Sequence, residues 1–119
     1  MQLLAILNKV QKEYPKYHVS FIGRKAINIE TNFLDKYNDK ICFYIVEEDR
    51  HKEKYKITDD GYLYNGTGFL DQQCPFTIAK DRSVSVNCTK INLFETVKTY
   101  INYLNKHFKE LEVSNNATN

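Results

Sequence analysis

Between residues 2 and 14, Leu3, Leu4, Ile6, Leu7, Val10 and Tyr14 recur at spacings of three and four, while Asn8, Lys9, Gln11, Lys12 and Glu13 fill the other side. That period predicts an amphipathic helix. Pro15 ends it, because a residue preceding proline disfavours helical geometry. The pattern then shortens to a period of two. Tyr17-His18-Val19-Ser20-Phe21-Ile22 and Ala26-Ile27-Asn28-Ile29-Glu30-Thr31 flank Gly23-Arg24-Lys25 and predict a hairpin, with Ile27 and Ile29 facing a core and Asn28 and Glu30 facing water. The run Ile41-Cys42-Phe43-Tyr44-Ile45-Val46 is apolar at every position and predicts a central strand. The charged run Glu47 to Lys54 reads as an exposed hairpin tip. Tyr55-Lys56-Ile57-Thr58 returns beside the central strand, and Asp59-Asp60-Gly61 supplies turn chemistry before a further strand, Tyr62-Leu63-Tyr64.

Phe76-Thr77-Ile78-Ala79 and Ser83 to Asn87 flank Lys80-Asp81-Arg82 and predict another hairpin. From Leu93 to about Glu112 the period of 3.6 returns, with Asn92 as N-cap and Glu95 three places on in a capping-box arrangement. These elements predict an α+β fold, a mostly antiparallel sheet of five to seven short strands with an N-terminal and a C-terminal amphipathic helix packed on it. Residues 1–112 form one domain and 113–119 a frayed polar tail. The second helix carries a stripe of Phe94, Val97, Ile101, Leu104 and Phe108 that fits two roles. It is either a self-association seam, which leaves monomer or homodimer open, or the face laid on the helix's own sheet; fewer than three heptads with two Phe favour the latter.

With 119 residues, 42% of them hydrophobic and 27% charged, the chain can bury a core without disulfide or metal staples. Three cysteines, Cys42, Cys74 and Cys88, show no C-x-x-C spacing and read as reduced thiols. No apolar run approaches the roughly 20 residues that cross a bilayer, so a cytoplasmic protein with no membrane partner is expected. The net charge of +2 conceals a polarity: from Glu30 to Asp71 ten acids stand against six bases, so the middle is acidic and the ends are basic.

Carboxylate is the recurring chemical theme. Asp35, Asp39, Asp59 and Asp60, if brought together, offer the oxygen ligands of a hard cation and so an alternative reading as a metal-dependent phosphodiesterase. Aspartates that cap their own turns account for the same residues. There is no phosphate-binding glycine loop, H-E-x-x-H or G-x-S-x-G, so no catalytic residue and no cofactor is expected. Lys9, Lys12, Lys16, Arg24 and Lys25 make nucleic acid a lesser candidate partner. Glu47, Glu48, Asp49 and Glu53, with Asp59 and Asp60, are expected to form an acidic partner-binding face able to mimic DNA phosphates. A charged tip also keeps a sheet edge from aggregating.

The stretch Ile27-Asn28-Ile29-Glu30-Thr31-Asn32-Phe33-Leu34-Asp35-Lys36-Tyr37-Asn38-Asp39-Lys40-Ile41 resembles the pattern I-T-P-F-L-D-R-x-N-D-x-I, and Tyr55 to Tyr62 resembles Y-L-L-T-D-D-G-Y. In that order they resemble an uncharacterised domain-of-unknown-function family of small proteins from low-GC Gram-positive bacteria and their mobile elements. The likeness spans Ala26 to Tyr64 and departs at Asn32, where the pattern has proline, and at Lys36, where it has arginine. It implies an α+β fold and a mobile-element setting and carries no activity or catalytic residues with it. In that setting a small protein without catalytic motifs is expected to be a non-enzymatic module that occupies a host protein, such as an anti-CRISPR-like inhibitor of a nucleic-acid-targeting defence enzyme.

Overall fold

Helix α1 (Gln2–Glu13) presents Leu3, Ile6 and Val10 to the interior and leaves Asn8, Lys9, Lys12 and Glu13 in water. The computed structural model describes residues 2–34, 38–59, 77–78 and 84–110. After Pro15 the chain enters β1 (His18–Ile22), turns at Gly23, whose φ of +63° suits a residue without a Cβ, and returns as β2 (Ala26–Leu34). Then come β3 (Lys40–Asp49), β4 (Lys54–Thr58), β5 (Thr77–Ile78) and β6 (Val84–Thr89). A 3-10 turn (Lys90–Asn92) leads into α2 (Leu93–His107), and β7 (Lys109–Glu110) follows it. All pairings are antiparallel, in the order β1-β2-β3-β4-β6-β5, with β7 paired to the far end of β2. The α+β architecture expected from the sequence is the observed one.

Strand alternation decides where the core lies. Ile41, Phe43 and Ile45 of β3 are fully buried, while Cys42, Tyr44 and Val46, alternating with them, are half-buried. Ile27 and Ile29 of β2 and Ile57 of β4 sit opposite them in register and share the buried face. Both helices pack onto that face: Tyr100 of α2 tilts against Phe43 with ring centroids 4.8 Å apart, and the Lys9 ammonium of α1 lies 4.4 Å from the centre of the Phe94 ring. At roughly 25 cal/mol per Å² of apolar surface, each fully buried Ile, Leu or Phe contributes about 2 kcal/mol.

One side chain completes the edge of the sheet. β1 is a terminal strand, and the Gln11 amide reaches it from α1: Nε2 donates to the Tyr17 carbonyl at 2.7 Å, and Oε1 accepts from the Val19 N–H at 3.2 Å. The amide thus meets two main-chain groups of the edge as a neighbouring strand would.

The structure corrects the sequence reading in four places. Glu47, Glu48 and Asp49 belong to β3 and not to the hairpin tip, which is confined to residues 50–53; a strand running past the core keeps its ladder while its side chains reach water. β2 runs three residues beyond its expected end through a bulge between Glu30 and Leu34. There the Thr31 hydroxyl donates to the Ile41 carbonyl at 2.7 Å and accepts the Phe33 N–H at 3.1 Å, which allows Thr31, Asn32 and Phe33 to be buried in succession. The second helix stops at His107: Phe108 is extended, and the next two residues pair with Leu34 and Phe33. Asn92 is the N-cap of α2 as expected, but the capping box with Glu95 does not form: its side chain turns back to accept the Thr89 N–H at 2.9 Å and does not bond forward into the helix.

The stripe on α2 faces its own sheet. Val97, Ile101 and Leu104 are buried, and Phe94 and Phe108 pack against the same core, so the residues read as a possible seam serve the fold of one chain. The expected strand at 62–64, the turn at 80–82, Cys74 and the tail at 113–119 lie outside the described residues. Among the described residues no helix is long and apolar enough to cross a membrane.

Candidate partner-binding site

Three turns meet at one end of the sheet. The β1–β2 turn brings Arg24 and Lys25, the β3–β4 hairpin brings Glu47 to His51 and Glu53, and the 3-10 turn brings Lys90; together with Leu3, Phe21 and Tyr55 they line a cleft of about 1230 Å³. Backbone bonds fix the arrangement. Glu47 N–H donates to the Lys25 carbonyl at 2.7 Å, tying the first turn to β3, and Lys90 N–H donates to the Glu53 carbonyl at 3.1 Å, tying the hairpin to the 3-10 turn. Within the hairpin the Lys52 N–H donates to Asp49 Oδ1 at 3.1 Å, and Glu53 adopts a positive φ of 52°. A non-glycine residue in that region is uncommon; here two bonds to the Glu53 backbone hold it, its own N–H donating to the Arg50 carbonyl and its carbonyl accepting from Lys90.

The four carboxylates predicted to form an acidic face, those of Glu47, Glu48, Asp49 and Glu53, all line this cleft. Arg24, Lys25, Arg50 and Lys90 line it with them, so the charges balance. Two ion pairs are formed nearby: Lys90 Nζ to Glu53 Oε2 at 3.3 Å and Lys56 Nζ to Glu48 Oε2 at 3.6 Å. The face is mixed in charge although Glu47-Glu48-Asp49 of β3, read alone, is a polyanion; Arg50 comes from the hairpin itself, and Arg24, Lys25 and Lys90 come from turns 22 or more residues from any of the four acids. The phenol of Tyr55 in its wall is pushed above the usual range by burial first and by the carboxylates of Glu47 and Glu53 second.

Apolar surface collects at the same end. The large hydrophobic side chains exposed among the described residues are Leu4 at 45%, Phe21 at 39%, Ile22 at 50% and Ile91 at 96%. Phe21 lines the cleft, and each of the others is adjacent in sequence to a lining residue. A scattered exposed apolar side chain needs no explanation, but an exposed phenylalanine set among paired charges in a cleft is the composition of a docking surface.

Asp59 is not part of this face. It stands at the opposite end of β4 from Glu53, about 20 Å away along an extended chain. It is fully buried: its Oδ1 accepts the Val84 N–H at 2.6 Å and its own N–H donates to the Val84 carbonyl at 3.4 Å, extending the β4–β6 ladder by one residue. The Tyr100 hydroxyl donates to that same carbonyl at 2.9 Å. The aspartate set does not assemble either. Asp39 is exposed, and the register of Tyr44 with Thr58 leaves it four residues along the sheet from the level of Asp59, about 13 Å. Asp35 and Asp60 lie outside the described residues, and among the described residues no three His, Cys, Asp or Glu gather as metal ligands.

No protein-family model, no curated protein and no solved structure matches the chain. Chemistry must therefore be judged on the residues themselves. Burial pushes the Cys88 thiol up to about 11, and burial followed by the Glu30 carboxylate pushes Cys42 upward as well. A raised thiol is a poor nucleophile at neutral pH.

Proposed function

We propose that this protein is a non-catalytic protein-binding module that docks a partner at the hairpin end of its sheet. The observation that carries the reading is a cleft lined by the exposed Phe21 in which four carboxylates are interleaved with four bases, with the exposed Ile22 and Ile91 each next in sequence to a lining residue. Apolar anchors at the centre supply affinity, and paired charges around them set orientation and exclude wrong partners. Recognition by mixed charge fits the cleft better than mimicry of DNA phosphates, which requires an unbroken run of negative charge. The partner class proposed remains a host protein, in particular a nucleic-acid-targeting defence enzyme inhibited by occupation of its surface; its support is the mobile-element setting that the resemblance implies.

The test is capture from nuclease-treated lysate of a low-GC Gram-positive host, comparing wild type with a Phe21→Lys/Ile91→Lys variant and with Lys106→Ala, an exposed change on α2. One stoichiometric host protein, retained by Lys106→Ala and lost by the double variant, supports the reading. Equal capture by the double variant, or recovery of nucleic acid alone without nuclease, overturns it.

A further inference from the structure

A second pocket, of about 340 Å³, lies between the C-terminal end of α1, the bulge of β2 and the second half of α2. It is independent of the hairpin cleft and shares no lining residue with it. Its volume falls in the range of small-ligand sites. Its wall contains a polar group that the fold itself leaves unused: Asn32 is 95% buried, and its Oδ1 has no hydrogen-bond partner. A buried acceptor left unmade costs about 1–3 kcal/mol, so its persistence calls for an explanation. The bulge explains why Asn32 faces inward but not why the position is an amide. Asn32 lines the pocket, and its terminal torsion is broad rather than fixed in one rotamer.

The surroundings define what would satisfy it. Tyr14 and Tyr17 line the pocket with their rings stacked, centroids 5.0 Å apart and planes 8° from parallel, and Phe33 meets Tyr17 edge-on at 6.2 Å. A third planar ring continues such a stack. At the mouth stand two exposed amides, Asn102 and Asn105, each carrying both donors and an acceptor. Glu13 and Lys16 also border it and cancel in charge, so nothing favours an ionic ligand. An aromatic stack, a buried acceptor without a donor and flanking side-chain amides are together the chemistry by which proteins hold a single unpaired base.

We infer that this pocket binds a nucleobase, with a ring or exocyclic N–H donating to Asn32 Oδ1, the base plane against the tyrosines, and Asn102 and Asn105 meeting its remaining polar edge. The base can belong to a free nucleoside or to the end of a single strand, and the experiment separates the two.

Adenosine, guanosine, cytidine and uridine, and the four matching homo-hexanucleotides, are titrated into isotope-labelled protein while backbone and side-chain amide resonances are followed. The expected result is saturable movement of the Asn32, Asn102 and Asn105 side-chain signals with at least one nucleoside. Hexanucleotides binding no more tightly than their nucleoside identify a free base as the ligand, and tighter binding identifies a strand. Asn32→Leu is expected to weaken binding at least about tenfold while leaving the melting temperature unchanged or raised, since an unsatisfied acceptor is replaced by an apolar group. Should that variant fail to fold, Asn102→Ala/Asn105→Ala, which alters only exposed side chains, is expected to weaken binding several-fold. No movement with any nucleoside or hexanucleotide to about 10 mM, or binding indifferent to both variants, overturns the assignment.

Discussion

Replacing Asp59 by alanine tests whether this carboxylate belongs to the fold or to a site. Asp59 is fully buried, and its Oδ1 accepts the N–H of Val84, itself only 2% exposed, at 2.6 Å. A charge-assisted bond of that kind contributes about 1.5–3 kcal/mol, and deleting its acceptor strands a buried donor at a cost of about 1–3 kcal/mol. These describe one interaction from its two ends, so they overlap, and the expected loss for Asp59→Ala is about 2–3 kcal/mol. For a chain of this size that lowers the melting temperature by about 8–12 °C. Asp39→Ala is the comparator: the side chain is exposed, and the change is expected to fall within about 0.5 kcal/mol of wild type. Urea denaturation followed by circular dichroism gives both values, and amide exchange at Val84 reports the bond itself. Equal stabilities for the two variants, or an unchanged exchange rate at Val84, would refute the argument that Asp59 closes the β4–β6 ladder.

Other consequences can be measured on the same footing. Gln11→Ala removes two hydrogen bonds to the β1 edge and is expected to cost about 1–2 kcal/mol and to raise self-association, read by denaturation and sedimentation velocity. Because the Cys88 thiol is raised to about 11 in the fold from about 9, the folded state holds its proton longer than the unfolded one; stability is full below about pH 9 and declines between about pH 9 and 11, and Cys88→Ala should flatten that part of the profile. Cys42, also raised by burial, adds to the decline from about pH 9 upward and Tyr14 and Tyr55 from about pH 10, so the Cys88 contribution is read as the difference between the wild-type and Cys88→Ala profiles. Val97→Lys places a charge in the core and is expected to unfold the domain at any protein concentration, whereas a dimer seam would give a folded monomer and a concentration-dependent midpoint in the wild type.

The sequence was legible where structure follows from local period. α1, the β1–β2 hairpin, the apolar core of β3 and most of α2 are written in spacings of two or three to four, and their observed starts fall within one residue of the expected ones, whereas β2, β3 and α2 end elsewhere. It misled where a distant partner decides. Nothing near Asp59 distinguishes a turn aspartate from a buried one, because its partner is Val84, 25 residues on. The hydrophobic period of α2 continues through Phe108, yet pairing with Leu34 and Phe33 draws the next residues out into β7. The charged run, expected wholly at the hairpin tip, begins within β3, and all four of its acids line the cleft. Its balance was hidden, because Arg24, Lys25 and Lys90 come from other turns. The exposed apolar side chains left no signal either: Ile91, at 96% exposure, reads in sequence like any core isoleucine.

The Gln11 amide bears on how the chain reaches this state. Its bonds span six and eight residues, whereas β4 and β6 must find each other across about thirty. Contacts that close short loops form early and at little entropic cost. The α1–β1 unit can therefore take shape before the sheet exists, with one flank of the nascent strand already sealed. Strands that still lack partners then meet a template exposed on a single side, so pairing grows from β1 towards β6 in one direction, and an intruding chain finds that flank occupied.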